Sequence, residues 1–260
     1  MICFSNPQIP SYIEDFIWKG YNYSKRIMKN FTRSFLITTF RFLFRVLSRV
    51  TVSGWENLAR QGGYIVAANH LSTIEVPLIY LLIDRDDLSG LVAKKHQKNA
   101  FFRFLVNSFN GIWLNREEAD AHALRAARDH LRFGGVLGLS PEGTRSPTGA
   151  LISAKTGVAF LADQANVPIV PAGVAGTYHA MGKILTLRRP KITVKFGKPF
   201  CLPPIDRKNK DRSLKENTDE IMCQIAALLP CELRGVYAEY PRTQELLAVQ
   251  AGDSNRALTF

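Results

Sequence analysis

The sequence contains no apolar run long enough to cross a membrane as a helix. Such a helix needs about 20 consecutive apolar residues, whereas charged side chains divide the apolar stretches of this chain into shorter pieces. Near the start, Glu14, Asp15 and Lys19 also interrupt the segment where a signal peptide would carry its apolar core. We therefore expect any contact with a membrane to be peripheral.

Cysteine is scarce, and the spacing that would give it a structural role is missing. The chain has four cysteines among 260 residues, and none forms a Cys-x-x-Cys pair. This arrangement argues against a disulfide framework or a zinc site and favours reduced thiols in the cytosol. The five histidines show no metal-ligand spacing either, so we expect no metal site.

Acidic residues are few relative to basic ones. The chain has 22 aspartates and glutamates against 34 lysines and arginines, which gives a formal net charge of +12. That excess favours a polyanionic partner, such as nucleic acid, an anionic membrane or a phosphorylated substrate. The chain lacks zinc-finger spacing, an RNP-like aromatic motif and a helix-turn-helix signature. We therefore do not expect nucleic acid to be the partner.

Residues 1–48 are unusually rich in basic and aromatic side chains. From Phe31 to Val50, helical spacing predicts an apolar stripe that consists of Leu36, Phe40, Leu43, Leu47 and Val50, with Arg41, Arg45 and Arg49 on the opposite face. Such a helix either lies in a membrane interface or packs on the protein with its arginines solvated. The number of aromatic residues favours a helical arm that contacts an anionic membrane surface.

From residue 49 onward, short β-rich segments alternate with helical ones. The predicted strands cover residues 50–52, 64–68, 89–93, 112–114, 135–139, 168–172 and 191–196. The predicted helices cover about 75–84, 98–109, 117–132, 155–165 and 212–228. This alternation predicts an α/β fold with a mostly parallel central sheet flanked by helices. We assign that domain to residues 49–230 and expect residues 231–260 to form a loosely packed tail.

His70 and Glu75 follow the second predicted strand. Histidine takes and returns a proton near neutral pH, and a carboxylate that holds one ring nitrogen leaves the other free as a base. Spacing alone favours an ordinary helix start over a catalytic pair, with Glu75 as an acid in the first turn. In that setting Ser72 is a better candidate for an N-cap than for a nucleophile.

The segment Ser140-Pro141-Glu142-Gly143-Thr144-Arg145-Ser146 follows the fifth predicted strand. Its turn exposes backbone N–H groups, and the Arg145 guanidinium offers a planar fork suited to phosphate; an ordinary surface turn is the alternative. Three more basic residues also follow predicted strands: Lys94, Lys95 and Arg116. Because ligands bind at the carboxyl ends of parallel strands, we expect these residues and His70 to form one site.

Four segments, in order, resemble the four motifs of the glycerophospholipid acyltransferases, the PlsC-like or 1-acyl-glycerol-3-phosphate acyltransferase family. Residues 69–75 resemble its Asn-His-x-Ser-x-x-Asp motif, and residues 141–146 match the Pro-Glu-Gly-Thr-Arg-Ser core of its third motif. Residues 115–116 resemble the end of the second motif, and residues 167–171 match the fourth. The resemblance runs from about residue 50 to residue 200.

The resemblance implies an O-acyltransferase that moves a fatty acyl group from acyl-CoA or acyl carrier protein to the hydroxyl of lysophosphatidic acid, forming phosphatidic acid. It implies no metal and no cofactor besides that co-substrate. His70 would be the general base and Glu75 its partner. The implied acceptor-phosphate site contains Arg116, Glu142, Gly143, Thr144 and Arg145, beside the candidates Lys94 and Lys95; Val170 would line the acyl-donor side. The protein would act peripherally on the cytoplasmic face of the membrane.

Two residues depart from the family pattern. Glu75 stands where most members have aspartate, so it reaches His70 only if the two backbones lie slightly further apart. Ser140 replaces an aromatic residue before Pro141, which changes the floor of the pocket. The alternatives are transfer to another acceptor (glycerol 3-phosphate, another lysophospholipid or a lyso-ornithine lipid) and a non-catalytic membrane protein that binds lipid.

Overall fold

The computed structural model describes residues 31–115 and 120–257, with side chains described up to residue 251. The chain divides into a small unit, residues 1–39, and a large unit, residues 40–260. Helix α1 covers residues 31–47, so its last part, residues 40–47, belongs to the large unit.

A central sheet of seven strands organises the described part of the large unit. Its strands are β1 Arg49–Ser53, β2 Tyr64–Ala68, β3 Leu88–Ala93, β4 Ile112–Leu114, β5 Val136–Leu139, β6 Ile169–Ala175 and β7 Lys191–Phe196. Their order is β1-β7-β6-β2-β5-β3-β4. The five strands from β6 to β4 run parallel to their neighbours, whereas β7 pairs antiparallel with β6 and parallel with β1. The mostly parallel sheet expected from the sequence is confirmed.

Helices cover both faces of the sheet. After α1 they are α2 Glu75–Leu82, α3 Ala100–Ser108, α4 Ala121–Arg132, α5 Gly157–Ala165, α6 Ala180–Leu185, α7 Lys210–Leu228 and α8 Pro241–Ala257. Strand β2 shows why both faces are covered, because its side chains alternate between two separate apolar clusters. Ile65 and Ala67 pack with α4, α5 and α7, while Tyr64 and Val66 pack with α2 and α6.

The structure differs from the sequence prediction in two described segments, helix α1 and the C-terminal residues. Of the predicted stripe in α1, Leu36, Phe40 and Leu47 are half-buried but Leu43 is exposed, and Phe42 and Val46 are exposed beside it. The expectation of a loosely packed tail is wrong for residues 231–251, because α8 packs against α7 and Tyr237 is buried in the core. Sequence periodicity misses this segment because its contacts are tertiary.

The sheet brings several chain segments to one edge. The carboxyl ends of β2, β3, β4, β5 and β6 lie together, because these strands are parallel. The segments that leave this carboxyl edge start at residues 69, 94, 115, 140 and 176. Separately, among the described residues no helix is both long enough and apolar enough to span a membrane.

Candidate active site

The turn after β2 is fixed by the side chain of Asn69. Its amide nitrogen donates to the carbonyl oxygen of Val174 at 2.8 Å, and its amide oxygen accepts from the backbone N–H of Val174 at 2.7 Å. Asn69 is buried, so these two bonds satisfy polar groups that would otherwise be costly to desolvate. They hold the end of β2 against β6 immediately before His70.

Next to it, His70 and Glu75 form the pair that the motif predicts. The Nδ1 atom of His70 lies 3.0 Å from Oε2 of Glu75. Glu75 is the first residue of α2, and its side chain turns back over the preceding loop. The extra methylene relative to aspartate is therefore accommodated, and the glutamate reaches the imidazole at hydrogen-bonding distance.

The Glu75 carboxylate is buried and fully engaged. It accepts from the backbone N–H of Leu71 at 2.8 Å and from that of Ser72 at 3.1 Å. The hydroxyl of Thr177, beyond the end of β6, also donates to it. Glu75 thus satisfies the N–H groups that precede the helix while it orients His70, so the helix-start and catalytic interpretations describe the same carboxylate.

The other ring nitrogen of His70 is open. Its Nε2 makes no hydrogen bond with any residue that the structure describes, and the side chain is 24% exposed. A carboxylate on Nδ1 fixes the imidazole with its second nitrogen available as a base, which is the arrangement of a general-base catalyst. The Ser72 hydroxyl is used differently, because it accepts from the backbone N–H of Ile74 at 3.1 Å and supports the helix start.

Glu142 takes a role that the sequence did not predict. Its Oε1 accepts from the backbone N–H of His70 at 2.8 Å, and its Oε2 accepts from that of Ile152 at 3.1 Å. Burial raises the pKa of Glu142 to about 7, against the opposing effect of these two N–H donors. Both carboxylate oxygens are occupied inside the protein, so Glu142 positions the His70 backbone, whereas the sequence interpretation placed it on the acceptor phosphate.

The rest of that turn presents donors to solvent. Its fold is set by the backbone N–H of Ser146, which donates to the carbonyl of His70 at 2.8 Å, and by Gly143 at φ 67°, a left-handed conformation that favours glycine. Thr144 and Arg145 are exposed. Their backbone N–H groups and side chains make no hydrogen bond or ion pair with the described residues, so they are available to an anion.

The structure connects the other basic candidates for the phosphate site less directly to His70. Lys94 and Lys95 begin a short 3-10 helix after β3 at the same edge and are exposed. The ammonium of Lys94 lies 3.7 Å from a carboxylate oxygen of Asp120, whose pKa is lowered mainly by the backbone N–H groups of Asn115 and Ala123. Arg116 lies outside the described residues.

Val170 lies in the core. It is buried in β6, paired with Val66 of β2, and belongs to the cluster beneath α2. The expected position on an acyl-donor surface is therefore not where the structure places this side chain. Its effect on the site is indirect, because it helps to seat β6, which carries Val174 and leads to Thr177.

Thr177 is the residue that sequence reasoning missed. It is fully buried and contacts Glu75 across 102 residues of chain, so no local spacing links the two. Its position in the chain could have identified it. Thr177 follows Gly176, which has a φ of 86°, and lies just after β6, whose carboxyl end is at the edge of the sheet that holds His70. Polar residues in that position merit inclusion in a candidate site.

Comparison with known proteins agrees with this geometry. Residues 49–175 match the family model described as Acyltransferase. The chain is 32% identical over 168 residues to the 1-acyl-sn-glycerol-3-phosphate acyltransferase of Cocos nucifera, which covers 62% of this chain and 53% of that protein. It is 22% identical over 166 residues to the Bacillus subtilis (strain 168) enzyme of the same name, over 64% of this chain and 81% of that one.

A solved structure extends the likeness to three dimensions. The crystal structure of the 1-acyl-sn-glycerophosphate (LPA) acyltransferase PlsC from Thermotoga maritima superposes with a TM-score of 0.56 at 25% identity, covering 76% of this chain and 79% of that one. The chain spans about half the length of the coconut relative. The residues that match the family model, 49–175, include the His70–Glu75 pair. By the segment that matches the Acyltransferase model and by its fold, the chain is similar to the PlsC-like acyltransferases.

Proposed function

We propose that the protein transfers a fatty acyl group from an acyl thioester, on coenzyme A or acyl carrier protein, to the free hydroxyl of lysophosphatidic acid. The product is phosphatidic acid. The observation that carries this proposal is the His70 imidazole, held by the buried Glu75 through Nδ1 and open at Nε2. A thioester is already activated, so a base that deprotonates the alcohol is sufficient and no covalent acyl-enzyme is needed.

In the proposed reaction, Nε2 of His70 takes the proton of the acceptor hydroxyl as its oxygen attacks the thioester carbonyl carbon. The negative charge collects on the carbonyl oxygen in a tetrahedral intermediate. The intermediate then collapses, the carbon–sulfur bond breaks, and the leaving thiolate takes the proton back from the imidazolium. Glu75 stabilises the imidazolium between these two transfers and keeps the ring in one orientation.

The acceptor phosphate fits the turn at residues 143–145. Arg145 supplies a guanidinium and Thr144 a hydroxyl, and both are exposed beside the His70 loop. The bond between the Ser146 N–H and the His70 carbonyl, at 2.8 Å, holds the two loops in contact. A phosphate on the turn would therefore bring a hydroxyl on the same small molecule near Nε2, which supports a phosphorylated glycerol acceptor.

The choice of acceptor follows the relatives. The relatives from coconut and Bacillus subtilis carry the name 1-acyl-sn-glycerol-3-phosphate acyltransferase, which favours lysophosphatidic acid over glycerol 3-phosphate or another lysophospholipid. We further propose that the protein acts peripherally on the cytoplasmic membrane face, with the basic, aromatic arm of residues 1–48 on anionic lipid. The exposed Phe42 and Val46 of α1 support an apolar contact there.

The test is an acyl-transfer assay with purified protein, acyl-CoA or acyl carrier protein as donor, and a panel of acceptors that includes lysophosphatidic acid and glycerol 3-phosphate. We expect His70→Ala to lower turnover about 10²- to 10⁴-fold. The matched control is His122→Ala, since His122 is an exposed histidine of α4 with no role in the proposed chemistry. It should behave like the wild type.

The panel separates the alternatives. Preference for glycerol 3-phosphate would keep the chemistry and overturn the acceptor assignment. Undiminished turnover in His70→Ala would refute the general-base assignment, and wild-type protein that binds lysophosphatidic acid without turning over any donor would indicate a lipid-binding protein.

A further inference from the structure

The connection between β6 and β7 carries apolar side chains that remain exposed in the part of the chain that the structure describes. We call residues 178–189, which contain α6, the β6–β7 loop. In α6, Ala180 and Ile184 pack into the core, one helical turn apart. Met181 and Leu185 are exposed, Leu185 by 78%. A helix with apolar residues both toward the core and toward solvent is typical of one that meets a second apolar phase.

Leu187 sharpens this observation. It is 81% exposed and has a φ of 55°, a left-handed conformation that is costly for leucine and easy for glycine. The surrounding hydrogen bonds impose it: the backbone N–H of Arg188 donates to Lys183 at 2.8 Å, and that of Leu187 to Ile184 at 3.0 Å. This is the C-terminal helix motif in which glycine is the usual residue. Neither stability nor solubility explains an exposed leucine there.

The charge around these residues indicates the chemistry of the partner. The β6–β7 loop contains Lys183, Arg188 and Arg189, and the chain has no acidic residue between Asp163 and Asp206. Exposed leucines among cations are the features of a segment that lies in the interface of an anionic bilayer. Each cation near such a surface adds attraction, and apolar burial adds the rest.

The position of the loop connects it to the active site. The loop starts at the carboxyl edge, immediately after Thr177, whose hydroxyl contacts Glu75. At its other end, the Arg189 guanidinium donates to the carbonyls of Arg45 at 2.8 Å and Ser48 at 3.1 Å. The loop therefore adjoins the end of α1, where Phe42 and Val46 are exposed. An apolar and basic surface thus continues from α1 to the edge that holds His70.

We infer that the β6–β7 loop is a membrane contact of its own, which inserts Leu185 and Leu187 between the headgroups of an anionic bilayer. The contact turns the carboxyl edge of the sheet toward the lipid in which a lysophosphatidic acid acceptor would reside. The inference rests on the proposed function for the identity of the acceptor, while the membrane contact itself depends only on the loop.

Leu187→Gly gives the sharpest test, because stability and membrane binding should move in opposite directions. Glycine relieves the left-handed conformation, so we expect the melting temperature to rise by about 2 °C. It also removes the inserted side chain, so partition onto vesicles of equal parts phosphatidylcholine and phosphatidylglycerol should fall about fivefold. Leu185→Gln should lower partition similarly, and both proteins should bind pure phosphatidylcholine vesicles weakly.

The matched control is Phe133→Ser, which removes an exposed apolar side chain, 91% accessible, from the end of α4 at the opposite edge. It should bind vesicles like the wild type. Wild-type partition in Leu187→Gly, or an equal loss in Phe133→Ser, would overturn the inference. So would sedimentation equilibrium showing that Leu187→Gly dissociates a dimer, because the leucine would then contact a second copy.

A separate assay distinguishes failure of this inference from failure of the proposed function. Turnover is measured with a short-chain lysophosphatidic acid below its micelle concentration, where no membrane is needed. Leu187→Gly should equal the wild type there. A wild type inactive on every acceptor would refute the proposed function and leave the vesicle result standing, whereas an equally strong loss of soluble turnover in Leu187→Gly would place Leu187 in the site and refute the membrane assignment.

Discussion

Similar side chains have different roles at the amino edge and the carboxyl edge of the central sheet. At the amino edge, the Arg85 guanidinium donates to both carboxylate oxygens of Asp87, at 2.8 and 2.7 Å, and to the carbonyl of Gly134 at 2.6 Å. At the carboxyl edge, Arg145 has no such partner among the described residues. Arg85 therefore holds loops together, whereas Arg145 remains available to bind an anion.

The carboxylates differ in the same way. Asp87 lies beside a cation, and the hydrogen bond from Arg85 is the main cause that lowers the pKa of Asp87. Among the described residues, the hydrogen-bond donors to Glu142 are two backbone N–H groups, and burial raises its pKa to about 7. The comparison shows that the amino edge satisfies its charges for stability, while the carboxyl edge tolerates an unfavourably buried acid that keeps His70 in place.

The largest effect should come from Glu75, the acid that completes the open edge. Glu75→Gln places an amide N–H₂ where the carboxylate accepts from Leu71, Ser72 and Thr177, so it loses both the charge and the acceptor geometry. We expect turnover to fall about 10²- to 10⁴-fold. Glu75→Asp should retain more activity than Glu75→Gln, as measured by turnover at saturating donor. Equal activity in all three proteins would show that the pair is structural only.

The pH dependence of stability should have opposite signs at the two edges. Glu142 has a folded pKa of about 7 against 4.5 for the unfolded chain. Between these values the folded state holds more protons, so raising the pH through this window lowers the free energy of unfolding by about 3 kcal/mol. Urea unfolding of Glu142→Gln should lack this decline, so the difference between the two proteins should change with pH.

Asp87 is the control for that experiment. Its folded pKa is lowered from 3.8, so its contribution is present above that value and lost as the pH falls toward the lower folded pKa. Asp87→Asn should therefore flatten the acid side of the profile and leave the window up to pH 7 unchanged. Parallel profiles for the wild type and Glu142→Gln would contradict the raised pKa of the buried Glu142.

The features that could be predicted from the sequence are those that depend on residues close together in the chain. The seven strands were placed within a few residues, because each is a short β-rich run between turns. The His70–Glu75 pair was also found, since five residues separate its members. Helix α6 was missed because six residues are too few to show a helical period.

The roles of Glu142 and Thr177 could not be predicted from the sequence, for a different reason. Each is defined by a partner in the segment that follows β2, at a separation of 72 residues for Glu142 with His70 and 102 for Thr177 with Glu75. A motif states that a glutamate stands at position 142 but not whether its carboxylate points to solvent or inward. Only the parallel pairing of β2 with β5 and β6 fixes those directions.

Two single variants, Arg85→Ala and Arg145→Ala, should separate an effect on stability from an effect on substrate binding. Arg85→Ala leaves the half-buried carbonyl of Gly134 and the Asp87 carboxylate without their donor, so we expect a loss of about 2 kcal/mol in the free energy of unfolding. Its kcat should stay near the wild-type value. Arg145→Ala should leave the unfolding curve unchanged and raise the KM for lysophosphatidic acid about tenfold. A stability loss in Arg145→Ala would show that its guanidinium has a structural partner.

The smallest effect, and the most specific, should come from Thr177. Thr177→Val keeps the shape of the side chain but removes the one hydroxyl among the described residues that reaches Glu75 from the segment after β6. Glu75 retains the N–H groups of Leu71 and Ser72, so the carboxylate stays near His70 with one fewer donor. We expect kcat to fall about tenfold, the equivalent of a single hydrogen bond to a charged group, and the KM of both substrates to stay unchanged. Thr177→Ser restores the hydroxyl and should recover most of the rate, which a simple packing defect would not do, because serine lacks the methyl group. If Thr177→Ser is as slow as Thr177→Val, packing and not the hydroxyl maintains the pair, and the carboxyl edge is then held together much as the amino edge is.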